Sequence, residues 1–98
     1  MLDRIFERRS IRKYTDRPVE EDKLHTLLRA AMYAPSAKDA RPWHFVVVHD
    51  RGVIEQFMQV HPYSKMLEQA PVLIVVCGDK SREAAPGYYL EDCGAATQ

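Results

Sequence analysis

Apolar positions recur along this chain at intervals that change from segment to segment. Leu2, Ile5 and Phe6 stand at i, i+3 and i+4, the spacing of a short amphipathic helix. Asp16-Arg17-Pro18 interrupts, and Glu20-Glu21-Asp22 then places negative charge where a second helix would begin, as the macrodipole favours. Leu24, Leu27, Leu28 and Ala31 mark that helix's buried face, and Pro35 predicts its end at Tyr33 or Ala34. Residues 35–42 read as a polar loop and His44 to Val48 as a β-branched strand. Asp50 is placed to cap a third helix carrying Val53, Ile54, Phe57 and Met58 on one side.

After a loop at His61 to Ser64, Pro71 to Cys77 is continuously apolar, which predicts a strand covered on both faces and ended by Gly78-Asp79. A last helix begins near Tyr88 and carries a small-residue face to Gln98. It lacks a C′ Gly or Asn, a basic last turn and a following Pro, so it reads as cut, and the domain as incomplete at its C-terminus. The order helix, helix, strand, helix, strand, helix predicts an α/β or α+β layer protein. Two strands alone make a poor sheet, so further chain or a partner subunit is expected to complete it.

The 98 residues suit one small domain, and no repeat, low-complexity tract or linker divides residues 1–98. Fourteen basic residues balance fourteen acidic ones, which gives no argument for nucleic acid or an anionic membrane. The longest apolar run is strand-sized, far short of the ~20 residues of a membrane helix. Charges near the N-terminus stand where a signal peptide would be apolar, which points to the cytoplasm. Cys77 and Cys93 form no C-x-x-C pair and read as reduced, packing thiols. His25, His44, His49 and His61 lack metal-ligand spacing, so no metal is expected. Tyr63, Tyr88 and Tyr89 read as core or interface packing, and Asp92 as a solvated or capping charge.

Two constellations bear on chemistry. Arg8-Arg9-Ser10-Ile11-Arg12 gathers three guanidinium groups and a hydroxyl within five residues. Arginine forks match phosphate oxygens, and a phosphomonoester dianion uses several donors. By spacing alone, a solvated basic face remains the commoner explanation of such a cluster. The second is the loop from Ala34 through Pro35, Ser36, Ala37 and Asp39 to Arg41, which runs into Pro42-Trp43-His44-Phe45. Loops between rigid elements often present backbone groups to ligands, while Trp43 reads as core under any account. No base and orienter accompany Ser36, so it is not read as a nucleophile.

In these two segments, in the strand Ala70 to Val76 and in the helix Glu91 to Gln98, the sequence resembles the nitroreductase family. The four segments come in family order and span essentially the whole chain. The resemblance implies an α+β, FMN-dependent nitroreductase-like three-layer fold, with helices around a small mixed sheet. It implies an oxidoreductase that passes a hydride from NAD(P)H via FMN to a small-molecule acceptor such as a nitroaromatic or quinone, in a homodimer with FMN at the subunit interface. Arg8, Arg9, Ser10 and Arg12 match residues that bind the FMN phosphate and ribityl chain and reach the ring edge. Pro35, Ser36 and Ala37 match a loop that packs on the flavin from the opposite subunit.

Asp39 stands where the family often has Asn, and Arg41 where Gln is common. Asp39 thereby replaces an amide donor by an acceptor. Because the flavin carries the redox chemistry, no protein nucleophile or general base is expected. Resembling proteins are considerably longer, so the competing readings are a non-catalytic flavin-binding or dimerising remnant and, further off, an unrelated phosphate-ligand module.

Overall fold

The computed structural model describes residues 2–98. It contains helix α1 (Leu2–Glu7), helix α2 (Glu21–Met32), strand β1 (Trp43–Val48), helix α3 (Arg51–Val60), strand β2 (Leu73–Gly78) and helix α4 (Tyr89–Thr97). Single 3-10 turns lie at Ala37–Asp39 and Lys65–Glu68. No described helix is long and apolar enough to cross a membrane.

The helices start and stop for local reasons. Asp50 caps α3 as expected, its carboxylate accepting hydrogen bonds from the Gly52 and Val53 N–H groups at 2.8 and 3.2 Å. Glu20 precedes α2 without capping it by side chain, so Glu21 and Asp22 act there only as charges near the positive end of the dipole. At the other end the Tyr33 and Ala34 N–H groups close back on Ala30 and Ala31, and Pro35 prevents another turn. The forked side chain of Arg51 donates to the carbonyls of Leu67, Glu68 and Ala70 at 2.7, 3.0 and 3.1 Å. That ties the start of α3 to the turn preceding β2.

β1 and β2 pair antiparallel, with Trp43 opposite Gly78, Phe45 opposite Val76 and Val47 opposite Ile74. These six residues share one face of the sheet, because side chains alternate along each strand. Helix α4 packs against both strands and α2 packs against α4. The expected arrangement of helices around a small sheet is present, and among the described residues the sheet consists of this antiparallel pair. The coverage expected for the apolar run is incomplete. Val72 to Cys77 are all half-buried, and Val46 on the other face is 48% exposed. A sheet of two strands has no inner strand, so neither can be covered on every side.

The core is correspondingly small: Leu24, Trp43, Ile54, Ala70 and Ala96, with Pro42 also fully enclosed. Helix α1 forms as its periodicity predicts but buries nothing. Leu2, Ile5 and Phe6 are 66%, 66% and 73% exposed.

Candidate cofactor site

The chain from Arg8 to Glu20 adopts no regular secondary structure, and Arg8, Arg9, Ser10 and Arg12 are all exposed. The four residues are not equivalent. Arg9 turns back on α1, donating to the carbonyls of Phe6 at 2.9 Å and Arg8 at 2.8 Å, a favourable place for a cation at a helix C-terminus. Arg8 makes one long contact, 3.4 Å, to the Ser10 hydroxyl. The Arg12 guanidinium has no hydrogen-bond partner among the described residues. None of the three arginines is paired with a carboxylate among those residues. Their charge is therefore available to an anionic ligand.

The second group is held tightly. Lys38, Asp39 and Arg41 have φ of 54°, 55° and 50°, the left-handed region that costs an L residue about 1–2 kcal/mol. Such strain persists only where surrounding contacts over-determine the backbone. Three contacts do so here. The Arg41 N–H donates to the Ser36 hydroxyl at 3.0 Å, and the Ala37 N–H donates to Asp92 Oδ1 at 3.0 Å. Arg41 also grips the Asp39 carboxylate with Nε at 2.8 Å and Nη2 at 3.3 Å. The two positions where the sequence departs from the family resemblance thus form a bidentate pair with each other. Both are exposed, so the pair contributes at most about 1 kcal/mol, but it occupies the Asp39 carboxylate.

Past the loop, the Asp79 N–H donates to the Pro42 carbonyl, and His44 Nε2 lies 3.1 Å from Asp79 Oδ2. The hydrogen bond from the Ser81 hydroxyl, then that from His44, holds the Asp79 carboxyl below its usual value. Burial, aided by the charge of Asp92, pushes the Cys93 thiol up, which disfavours a reactive thiolate there.

The loop lines two clefts among the described residues. Pro35 lines a cleft of about 550 Å³ with Leu28, Phe45, Val76 and Ala96. Pro35 and Asp39 line another of about 570 Å³ with Arg29, Tyr33 and Arg41. Arg8, Arg9, Ser10 and Arg12 line neither.

Asp92 is the residue that sequence reasoning misplaced. It is 5% exposed, not solvated, and it reaches across to the loop instead of capping its own helix. Its position carried a signal. Tyr89, Asp92, Cys93 and Ala96 fall at i, i+3, i+4 and i+7, and the structure leaves all four buried or half-buried. An acid on the covered stripe of a helix needs a partner. No group of three or more His, Cys, Asp or Glu among the described residues is placed to hold a metal ion.

Known proteins match this chain in both sequence and fold. The model of the nitroreductase family matches residues 5–59, which include both the arginine run and the strained loop. The chain belongs to the nitroreductase family. A protein of Methanothermobacter thermautotrophicus that carries the provisional name NADH dehydrogenase/NAD(P)H nitroreductase is 51% identical over 98 residues, covering 100% of this chain and 51% of the relative. A similarly named crystal structure from Bacteroides thetaiotaomicron superposes with a TM-score of 0.91 at 50% identity, covering 99% of this chain and 56% of the other. A nitroreductase-type structure from Desulfovibrio desulfuricans, solved in complex with FMN, superposes with a TM-score of 0.87 at 31% identity, covering 99% and 57%. The chain spans about half the length of the curated nitroreductase relatives it matches.

Proposed function

We propose that these residues form part of an FMN-dependent oxidoreductase that takes reducing equivalents from NAD(P)H and passes them to a small-molecule acceptor of the nitroaromatic or quinone type. The observation that carries this reading is the state of the arginine run. Among the described residues, Arg8 and Arg12 are exposed cations without a carboxylate partner, within five residues and next to a serine hydroxyl. A phosphate monoester with close to two negative charges is a fitting partner for such a set.

Arg8 and Arg12 would hold the FMN phosphate, and Ser10 would donate to the phosphate or the ribityl chain. Arg9, already bonded to the end of α1, would fix the direction of the run. Pro35, Ser36, Ala37 and Asp39 would face the flavin from a second subunit. The absence of the arginine run from the two clefts that Pro35 lines supports a site assembled between two copies, and the exposed apolar face of α1 supports the same view. Bound FMN supplies the hydride relay, so the protein's task is to bind and orient it and to exclude water. The FMN complex of the Desulfovibrio neighbour supports the choice of flavin.

The test is a visible spectrum of the purified chain with FMN, followed by anaerobic addition of NADH or NADPH. Retained flavin that bleaches on addition supports the oxidoreductase. Retained flavin that does not bleach is the behaviour of a flavin-binding remnant. No retained flavin after desalting counts against the site.

A further inference from the structure

The strained loop is fixed by a carboxylate far away in the sequence. Asp92 lies in the first turn of α4, is 5% exposed, and accepts the Ala37 N–H at 3.0 Å. A negative charge in the first turn of a helix is favoured by the dipole, which helps to offset its removal from water. The Ala37 amide supplies the direct partner that such a group requires. From Ala37 the chain enters the left-handed stretch at Lys38, Asp39 and Arg41, which the Ser36 hydroxyl closes by accepting the Arg41 N–H. The Asp92 contact is the side-chain hydrogen bond that ties the start of this 3-10 turn to α4, so removing it frees the strained residues to relax.

We infer that Asp92 is the positioning residue that sets the Pro35–Asp39 loop for flavin contact. The inference rests on the FMN reading above and extends it. Asp92 touches neither flavin nor substrate in this account; it acts through the Ala37 amide. Helix α4 therefore serves the site as a rigid mount, not only as a cover for the sheet.

Two substitutions remove the same hydrogen bond from opposite sides. Asp92→Ala removes the acceptor. Ala37→Pro removes the donor at the first position of the 3-10 turn, and the extended Ser36 before it (ψ 152°) suits a following proline. Asp92→Asn keeps an acceptor oxygen and is the conservative control.

FMN affinity is measured by flavin fluorescence quenching, on samples whose far-ultraviolet circular dichroism matches the parent chain. Asp92→Ala and Ala37→Pro are each expected to weaken FMN by about tenfold or more, as loss of a charge-assisted hydrogen bond implies. Asp92→Asn should stay within about threefold of the parent. The double variant should be no weaker than the worse single variant, because both act on one contact. Should Asp92→Ala fail to fold, weak binding by Ala37→Pro beside near-parental binding by Asp92→Asn carries the same conclusion.

Parental affinity in Asp92→Ala, or effects that add fully in the double variant, would overturn the role of Asp92 while leaving the FMN reading intact. A parent chain that binds no FMN overturns that reading, and this inference with it.

Discussion

Tyr89 lays its ring against Gly78: a Cβ built on Gly78 would stand 2.5 Å from Tyr89 Cδ2. Gly78 is the last residue of β2 and pairs with the buried Trp43. The absent side chain is what lets the first turn of α4 close over the sheet. Gly78→Ala should therefore destabilise the fold by about 1–3 kcal/mol, the range for overpacking. Gly94 in α4 is the counterpart, since a Cβ there meets nothing within 4 Å. Gly94→Ala should add about 0.5–1 kcal/mol of stability, because alanine is the better helix residue. Urea denaturation of the two variants side by side gives the answer. Equal midpoints would mean that the Gly78 contact carries no energetic weight.

A second prediction concerns Arg51, whose fork reaches three carbonyls between Leu67 and Ala70. A cation beside the N-terminus of α3 works against the helix dipole, so its placement is explained by those carbonyls. Arg51→Met keeps much of the apolar stem and removes every donor. It should cost about 1–3 kcal/mol and raise amide hydrogen exchange in residues 65–70 more than in β1. Lysine is not an adequate replacement, because it lacks the planar fork. Uniform exchange changes across the chain would assign Arg51 a diffuse role instead.

These contacts show where sequence reasoning succeeds and where it stops. The Asp50 cap, the end of α2 before Pro35 and the burial of Trp43 were legible because each depends on residues close in sequence or on one side chain's size. The arginine run and the following loop stand out by composition, which names residues but not their partners. What stayed hidden depends on which distant groups meet. Asp92 and Ala37 are joined across α4 and the loop, and Asp39 is neutralised by an arginine that read only as a departure from the family pattern. The left-handed backbone at Lys38, Asp39 and Arg41 has no glycine to announce it. The half-coverage of β2 was misread because an apolar run reports what a strand could bury, not what the available neighbours cover.

The third prediction is a pH dependence at Asp79. The Ser81 hydroxyl at 2.5 Å and His44 at 3.1 Å both favour the ionised carboxylate, so its folded pKa lies below the ordinary aspartate value. A carboxyl lowered by folding adds stability that is fully present above its unfolded pKa and is lost as pH falls through the folded one. The affected window therefore lies below about pH 4. Ser81→Ala should move the Asp79 midpoint up toward the ordinary value, as followed by the carboxyl carbon resonance, and should lower stability at pH 7 more than in the acid range, where the carboxyl is protonated with or without Ser81. An unmoved midpoint in that variant would remove Ser81 as the main cause.

The last prediction separates the arginines. If all of Arg8, Arg9 and Arg12 met the phosphate alike, each alanine variant would weaken FMN to a similar extent. The structure distinguishes them, since Arg9 is engaged by the Phe6 and Arg8 carbonyls, while among the described residues Arg8 makes only a long contact to Ser10 and Arg12 has no partner. A charge-assisted hydrogen bond contributes about 1.5–3 kcal/mol, so the double variant Arg8→Ala/Arg12→Ala should lose roughly a hundredfold or more in FMN affinity. Arg9→Ala should act mainly by loosening the run behind α1, with a smaller loss of affinity and a measurable loss of α1 helicity. On the proposed reading the double variant also removes two charges that would meet the phosphate, so the salt dependence of its residual FMN binding should be flatter. Flavin occupancy that survives the double substitution would mean the phosphate is held elsewhere, and the arginine run would revert to a solvated basic surface.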